Sequence, residues 1–284
     1  MQGKLSQRIL LQYYKTKLKT LNKLSPQLAA QSAFDLFCTP GPIKKMEMPP
    51  IFHKAEKVEL LHDDIVVRGY YWKHAMPAKR VLICHGFQSR AYKFEQCVCM
   101  LIKAGFEVLA FDAPAHGISD GKRINAFTYS RIILDVEKKF GPLYALICHS
   151  FGGLAACFAL EEMVDSNKKL VLIAPASETK SALKNFADLF SISKDAQTAL
   201  EQLIFQIRQH DVSWYSINRA VKNISGSILW IHDTDDKQCP YIDSAPSRNG
   251  NIKNLQFMTT EHLGHNKIYR DAGVQAAVID FLEK

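Results

Sequence analysis

The chain has 284 residues, of which 47% are hydrophobic and 23% are charged. These values exclude a wholly disordered chain, and the length suffices for one α/β domain or two smaller ones. The formal net charge is +8, and residues 1–24 contain six basic residues and no acidic one. No apolar run approaches the roughly 18 residues that a membrane span needs, so we expect no integral membrane segment. Polar and basic residues interrupt the N-terminus, so we expect no secretory signal.

The first predicted elements are helical. Residues 5–28 carry apolar side chains at steps of three and four, which predicts one amphipathic helix, or two with a break near Pro26. Basic residues on such a helix attract nucleic acid or anionic lipid, or form an ordinary solvated face. We expect no nucleic-acid partner, and a weak contact of residues 1–24 with an anionic surface stays open. Prolines and glycine in residues 39–50 predict a loop, so residues 1–50 form an N-terminal helical extension and loop.

Short apolar runs then predict eight β-strands. They are Val58–Leu61, Val66–Trp72, Val81–Cys84, Val108–Phe111, Leu143–Cys148, Leu170–Ile173, Ile228–Ile231 and Leu255–Met258. The turn His62-Asp63-Asp64 joins the first two as an antiparallel hairpin. Most later runs are solidly apolar, as in a parallel sheet that is covered on both faces. Helical patterns near 91–104, 126–140, 151–164 and 267–283 alternate with them. The pattern predicts a doubly wound α/β fold over residues 51–284, with a mostly parallel eight-stranded sheet and helices on both faces.

One segment breaks the alternation of strands and helices. Between Ala174 and Ile228 there is no convincing strand, and the apolar residues have a helical period. An insertion of this length often forms a cap over the strand ends, although a long crossover with extra helices has the same pattern. We interpret residues 176–222 as a helical cap insertion.

The seven cysteines indicate a reducing compartment. Their number is odd, and Cys84 and Cys148 end apolar strand-like runs, as reduced core thiols do. Cys97 and Cys99 lack a second pair at zinc spacing, so we expect no metal site there. We therefore expect a cytoplasmic protein.

The most informative position is Ser150. An apolar strand-like run ends at this serine, and two glycines and a helical pattern follow at once. A sharp turn between strand and helix exposes the hydroxyl and directs the first N–H groups of the helix at a bound group. Ser150 is therefore a candidate nucleophile, although an ordinary helix N-cap is also a serine in this position.

A serine hydroxyl needs a base within hydrogen-bond reach, and the base needs an orienting group. In an α/β sheet these groups lie beyond the carboxyl ends of the strands. The last two predicted strands are followed by candidate carboxylates and candidate histidines. These are Asp233, Asp235 and Asp236 after one strand, and His262 and His265 after the other. After the third strand, Gly86 lets the backbone turn, so that the N–H groups of Phe87 and Phe151 form an oxyanion hole.

Five segments in this order resemble the α/β-hydrolase superfamily, in its serine-dependent esterase, lipase and peptidase-like branch with a helical cap. They are His85-Gly86-Phe87, Asp112 to Ser119, Cys148-His149-Ser150-Phe151-Gly152, Asp236 to Pro240, and Gly264-His265. The resemblance covers about residues 58–284. It implies an α/β-hydrolase fold, a catalytic triad of Ser150, Asp236 and His265, and no metal or organic cofactor. His85 and His149 receive no role in bond-making, and Asp112 is expected to organise its loop.

The chain departs from the family pattern at three positions. Cys148 replaces the first glycine of the nucleophile elbow, Asp233 stands where glycine is common, and Ala115 replaces the glycine before His116. The expected function is a serine hydrolase that cleaves a carboxylic ester or related small-molecule acyl compound through an acyl-serine. A peptidase, thioesterase or acyltransferase on the same triad is the alternative, as is a non-catalytic binding protein of this fold.

Overall fold

A computed structural model describes residues 2–42, 46–163 and 167–284, and only the backbone of residues 2–7. The strands are β1 (Glu56–His62), β2 (Ile65–Trp72), β3 (Arg80–Cys84), β4 (Glu107–Phe111), β5 (Ala145–His149), β6 (Lys169–Ile173), β7 (Ile228–Asp233) and β8 (Leu255–Thr260). The helices are α1 (Gln2–Leu24), α2 (Pro26–Phe37), α3 (Glu95–Lys103), α4 (Ala126–Phe140), α5 (Phe151–Glu162), α6 (Thr179–Phe190), α7 (Lys194–Arg208), α8 (Ile217–Ala220), α9 (Ala245–Arg248), α10 (Gly264–Lys267) and α11 (Ala272–Glu283).

The strands form one eight-stranded sheet in the order β1-β2-β4-β3-β5-β6-β7-β8. β1 and β2 form the predicted antiparallel hairpin, β2 pairs antiparallel with β4, and the remaining pairs are parallel. Strands β4 and β5 are buried along their whole length, as strands covered on both faces are. The mostly parallel sheet of an α/β-hydrolase fold is thus confirmed.

Parallel pairing brings the loops that carry the predicted site residues to one edge of the sheet. Cys84 at the end of β3 is paired with Cys148 in β5, and β7 and β8 run in register through Asp233 and Thr260. The carboxyl ends of these strands therefore lie at the same edge. The loops that follow them carry Gly86, Ser150, Asp236 and His265.

Contacts along the chain divide it into two compact units. The sheet unit consists of Pro40–Ser177 and Ile217–Lys284, and the helical unit consists of Met1–Thr39 and Glu178–Ser216. The two parts of the helical unit share one apolar core. Its most buried members are Leu18, Ala29, Ala30, Ala33, Leu183, Ala187, Ala196 and Leu200. Small alanines on α2 let this helix pack closely against α7.

The N-terminal segment forms two helices, because Ser25 and Pro26 end the first and begin the second. The Ser25 hydroxyl accepts a hydrogen bond from the Gln27 N–H, and Pro26 occupies the first turn, where a missing N–H does no harm. The predicted loop 39–50 includes residues 43–45, which lie outside the described residues, as does the predicted helix end at residue 164. The domain limits 1–50, 51–284 and 176–222 stay predictions.

Within the described ranges, none of the helices combines the length and apolar character that crossing a bilayer requires.

Candidate active site

Ser150 occupies the sharp turn between β5 and α5. Its backbone has φ 55° and ψ −124°, a conformation that non-glycine residues rarely adopt, and its side chain does not cap the helix. Gly152 permits this turn, because a Cβ atom there would lie 2.4 Å from the carbonyl oxygen of Cys84. The start of α5 thereby lies against the end of β3. The Ser150 hydroxyl is left for another partner, as a nucleophile elbow requires.

That partner is His265, the second residue of α10. The Ser150 Oγ lies 3.0 Å from His265 Nε2, and His265 Nδ1 lies 2.7 Å from Asp236 Oδ2. A carboxylate can only accept, so Nδ1 carries the proton and Nε2 is free to accept from the Ser150 hydroxyl. All three side chains are buried. The loops after β5, β7 and β8 therefore join a serine, a histidine and an aspartate in one hydrogen-bonded line.

Asp236 is held as a carboxylate by donors around it. Its Oδ1 accepts from the N–H groups of Gln238 and Cys239 at 2.8 and 2.9 Å. Burial acts to raise the pKa of Asp236, but the neighbouring His232 and His265 side chains and the Cys239 N–H outweigh burial and hold this pKa well below its usual range. At neutral pH Asp236 is thus negatively charged and can stabilise a proton on His265.

His232 was not singled out in the sequence, yet it supports the same loop. The Trp230 indole N–H donates to His232 Nδ1, so the imidazole proton lies on Nε2. Nε2 donates to the Cys239 carbonyl oxygen at 2.9 Å and lies 3.6 Å from Asp236 Oδ2. This fully buried ring fixes the turn that presents Asp236.

The other carboxylates and histidine that were candidates lie elsewhere. Asp233 is buried and accepts from the Thr260 hydroxyl and the Leu263 N–H, so it anchors the segment that leads to α10. Asp235 pairs with His262 at 2.9 Å on the surface. The structure thus brings Asp236 and His265, rather than their neighbours, to Ser150. Asp233 has a structural reason to replace the glycine that is common in the family.

Gly86 brings the loop after β3 against Ser150. A Cβ atom at Gly86 would lie 2.8 Å from the Ser150 Cβ, closer than such atoms approach, so a larger residue would push the loop away from Ser150. The next residue is Phe87, and its ring contacts that of Phe151 with centroids 5.7 Å apart. Phe151 begins α5, where the N–H has no carbonyl acceptor one turn earlier. The loop and the helix start therefore flank the Ser150 side chain.

Two buried histidines link the loop after β3 to the segment after β4 by hydrogen bonds. His85 Nδ1 donates to the Gly86 carbonyl oxygen, and its Nε2 accepts from the Ala113 N–H. His116 Nδ1 donates to the Pro114 carbonyl oxygen, and its Nε2 accepts from the Gln88 N–H at 3.0 Å. Both rings are therefore neutral and carry the proton on Nδ1.

The pKa values agree with these assignments. Burial lowers the pKa of His85 to about 4, and burial together with the neighbouring His85 lowers the pKa of His116 to about 3. The imidazoles of His85 and His116 must be neutral, because the Nε2 atom of each accepts a hydrogen bond from a backbone N–H. The two histidines hold the loop in one conformation.

Asp112 organises the same segment, as expected. Its carboxylate accepts from the N–H groups of Ala91 and Ile118, and burial raises its pKa. Ala115 has a φ of 64°, where glycine is unstrained, which explains why the family usually has glycine there.

His149 supports the backbone of His265. Its Nε2 donates to the His265 carbonyl oxygen at 2.9 Å, and its ring contacts Phe94 and Tyr269. Burial, with His265 nearby, lowers the pKa of His149 to about 3. No sequence motif signals this contact, because it joins residues more than a hundred positions apart.

Two cysteines adjoin the site. Cys148 is fully buried beside Cys84, so its side chain takes the place of glycine without reaching the surface. The Cys239 Sγ lies 3.8 Å from the Ser150 Oγ, and burial, with Asp236 nearby, raises the pKa of this thiol to about 12. Cys239 therefore stays a neutral thiol beside the serine.

Comparisons with known proteins bear on the family and the fold of the chain. The family model described as serine aminopeptidase, S33, matches residues 75–225. A Bacillus subtilis (strain 168) protein named uncharacterized hydrolase YugF is 28% identical over 119 residues. The match covers 40% of this chain and 43% of that protein, so the chain spans less than half the length of this relative.

Solved structures resemble the chain over most of its length. The Pyrococcus furiosus esterase Pf2001 has a TM-score of 0.65 at 20% identity, covering 87% of this chain and 97% of that one. Est1E from Butyrivibrio proteoclasticus, with ferulic acid bound, has a TM-score of 0.63 at 22% identity, covering 80% of this chain and 98% of that one. At these identities the likeness concerns the fold.

Proposed function

This chain belongs to the serine aminopeptidase S33 family within the α/β-hydrolase superfamily, and we propose that it is a serine hydrolase that cleaves carboxylic esters. The observation that carries the proposal is the hydrogen-bonded line from Ser150 through His265 to Asp236, with distances of 3.0 and 2.7 Å. Such a line makes an alcohol nucleophilic at neutral pH.

In the proposed reaction, the Ser150 Oγ attacks the carbonyl carbon of the ester while His265 Nε2 takes the hydroxyl proton. The charged Asp236 stabilises the resulting imidazolium. The carbonyl oxygen becomes an oxyanion, which the N–H groups of Phe87 and Phe151 receive. Each such donor contributes about 3 kcal/mol to the transition state.

Collapse of this intermediate breaks the bond to the alcohol oxygen, and the proton on His265 Nε2 goes to the leaving alcohol. The acyl group is then bound to Ser150. Water replaces the alcohol, and His265 removes its proton as it attacks the acyl carbon. The acid leaves, and the hydroxyl of Ser150 is restored.

Esters are favoured over peptides by the state of the nearby carboxylates. An aminopeptidase needs a negative group that receives the free amine of its substrate. Asp112, Asp233 and Asp236 each accept two or more hydrogen bonds from the protein itself. All three are also buried, so none of them offers a site for the free amine of a peptide, and we place ester hydrolysis ahead of the aminopeptidase alternative. This observation does not bear on the thioesterase and acyltransferase alternatives.

A substrate panel tests this proposal. We expect the full chain to cleave p-nitrophenyl esters of short acids faster than aminoacyl p-nitroanilides or acyl-CoA thioesters. Ser150→Ala is expected to reduce ester turnover at least about 1,000-fold, as loss of a triad nucleophile does. Ser213→Ala, which alters an exposed serine of the helical unit, serves as the matched control and should leave turnover unchanged. Undiminished ester turnover in Ser150→Ala, or cleavage of the anilides alone, would contradict the proposal.

We also propose a cytoplasmic location. All seven cysteines are free thiols, and five of them are buried. Secreted proteins of an oxidising compartment commonly pair such residues in disulfides.

A further inference from the structure

A second surface lies on α1, in the helical unit, and plays no part in the chemistry at Ser150. Ile9, Leu10, Tyr13 and Leu24 are 62, 45, 58 and 73% exposed. At about 100° per residue, these four side chains fall in an arc of about 100° around the helix. We call them the α1 apolar strip. A large exposed apolar strip on a helix usually marks a contact with another surface.

A stripe of positive charge runs along one side of this strip. Arg8, Lys15, Lys19 and Lys23 fall in an adjacent arc of about 80°, and we call them the α1 basic stripe. Lys17 lies within the strip itself. In the part of the chain that the structure describes, none of these five residues pairs with a carboxylate. The first acidic residue of the chain is Asp35, so no acid of α1 offsets their charge.

The opposite face of α1 packs into the apolar core of the helical unit. Leu18 is only 3% exposed in the core shared with α2, α6 and α7, and the ring of Tyr14 packs edge-on against Phe190. α1 is therefore folded and anchored without any partner. Its outer face is a preformed amphipathic surface, in which the α1 apolar strip is flanked by the cations of the α1 basic stripe.

We propose that the outer face of α1 docks on an anionic lipid bilayer surface. Lysine and arginine near such a surface are attracted by its negative potential, while aliphatic and aromatic side chains enter the boundary between headgroups and acyl chains. Charge complementarity favours this partner over a second copy of the chain, whose α1 carries the same charge. The exposed aliphatic residues favour a lipid surface over nucleic acid. Contacts with nucleic-acid phosphates would use only the cations and would leave the apolar strip exposed. The helix lies along the bilayer surface and does not span it.

Vesicle flotation of the full-length protein tests this proposal. We expect binding to vesicles of phosphatidylcholine with phosphatidylglycerol, but not to phosphatidylcholine alone. Binding should weaken between about 0.05 and about 0.5 M salt, because salt screens the attraction. Because α1 is already folded, its far-ultraviolet circular dichroism should not change on binding.

Three variants separate the contributions of the basic and the apolar side chains of α1 to vesicle binding. Arg8→Gln/Lys19→Gln/Lys23→Gln is expected to weaken binding to the anionic vesicles on the order of 100-fold, at about five-fold per basic residue. Ile9→Gln/Leu24→Gln should weaken it about ten-fold, since less apolar area enters the bilayer. The matched control, Lys57→Gln/Lys122→Gln/Lys253→Gln, removes three exposed lysines of the sheet unit and should bind as the wild type does. All variants change exposed positions, and unchanged thermal unfolding confirms that each is folded.

Several results would overturn the proposal. One is equal binding to vesicles with and without the anionic lipid, and another is wild-type binding by the triple α1 variant. Tighter binding to a DNA duplex than to anionic vesicles, unaffected by Ile9→Gln/Leu24→Gln, would assign α1 to nucleic acid instead. A dimer in sedimentation that the same double variant converts to a monomer would assign the apolar strip to a second copy. Ester turnover in solution is a separate measurement, so failure here leaves the proposed hydrolase activity untouched.

Discussion

Gly86→Ala is expected to lower kcat for ester cleavage about 100-fold in a protein that still folds. The added Cβ would lie 2.8 Å from the Ser150 Cβ, 3.2 Å from His149 Nδ1 and 3.3 Å from the His149 carbonyl oxygen. Carbon atoms in contact are about 3.5 Å or more apart, so the loop must withdraw by roughly 0.7 Å. The N–H of Phe87 moves with it, away from the developing oxyanion. Loss of one such donor costs about 3 kcal/mol, or about 100-fold in kcat.

The assay is p-nitrophenyl ester turnover, measured beside the urea midpoint of each variant. Gly105→Ala is the matched control, because Gly105 has a φ of 82° and no atom within 4 Å of the added Cβ. It should lose about 1 kcal/mol of stability from backbone strain, with kcat unchanged. If folded Gly86→Ala keeps kcat within about three-fold of the wild type, the loop after β3 does not supply an oxyanion donor, and the reasoning is wrong.

Two further predictions concern the charge state of the site. Asp236→Asn should lower kcat by about 10,000-fold, because an amide donor facing His265 Nδ1 moves the proton to the nitrogen that must act as base. Wild-type turnover in a folded variant would argue against this role. His85, His116 and His149 have folded pKa values of about 4, 3 and 3, below the ordinary 6.5, so the unfolded chain binds more protons as the pH falls below 6.5. The free energy of unfolding, measured in urea, should therefore drop by about 2 kcal/mol per histidine between about pH 7.5 and about pH 5. His116→Gln removes one of the three histidines, so its unfolding free energy should depend less steeply on pH. A drop of the same size as in the wild type would contradict this prediction.

The strands and most helices were predictable from the sequence, because local patterns specify them. The solid apolar run of β5 and the glycines after it identify both the strand and the turn at Ser150. The predicted starts of two helices were less accurate, because another local structure precedes each helix. Residues 91–94 form a 3-10 turn before α3, and the Asp271 side chain caps α11, so both helices begin later than their apolar pattern.

Contacts between distant segments were not predictable in this way. The choice of Asp236 over Asp233 depends on which carboxylate faces His265 once the segments after β7 and β8 lie side by side. Family resemblance indicated this pairing, whereas composition and periodicity did not. The role of His116 leaves no local signal, since its ring accepts a hydrogen bond from Gln88 in a loop that follows another strand. The bond of His232 to Cys239 stays within one loop, but no sequence pattern indicates that the imidazole bonds to the backbone there.

The N-terminal helices show a similar limit. Periodicity predicted an amphipathic helix with a break near Pro26, and the structure confirms two helices that meet at Ser25. Their shared core with α6 and α7 could not be read from the sequence, because an apolar face does not identify what covers it. The same reasoning explains why the exposed apolar strip was not visible until the buried face was known.

Fluorophosphonate labelling followed by peptide mass spectrometry tests the central claim most directly, namely that His265 makes the Ser150 hydroxyl reactive. The account predicts one adduct per folded chain, located on Ser150, and its loss in His265→Ala. A folded protein that stays unlabelled, carries the adduct on another residue, or labels equally well without the imidazole would contradict it.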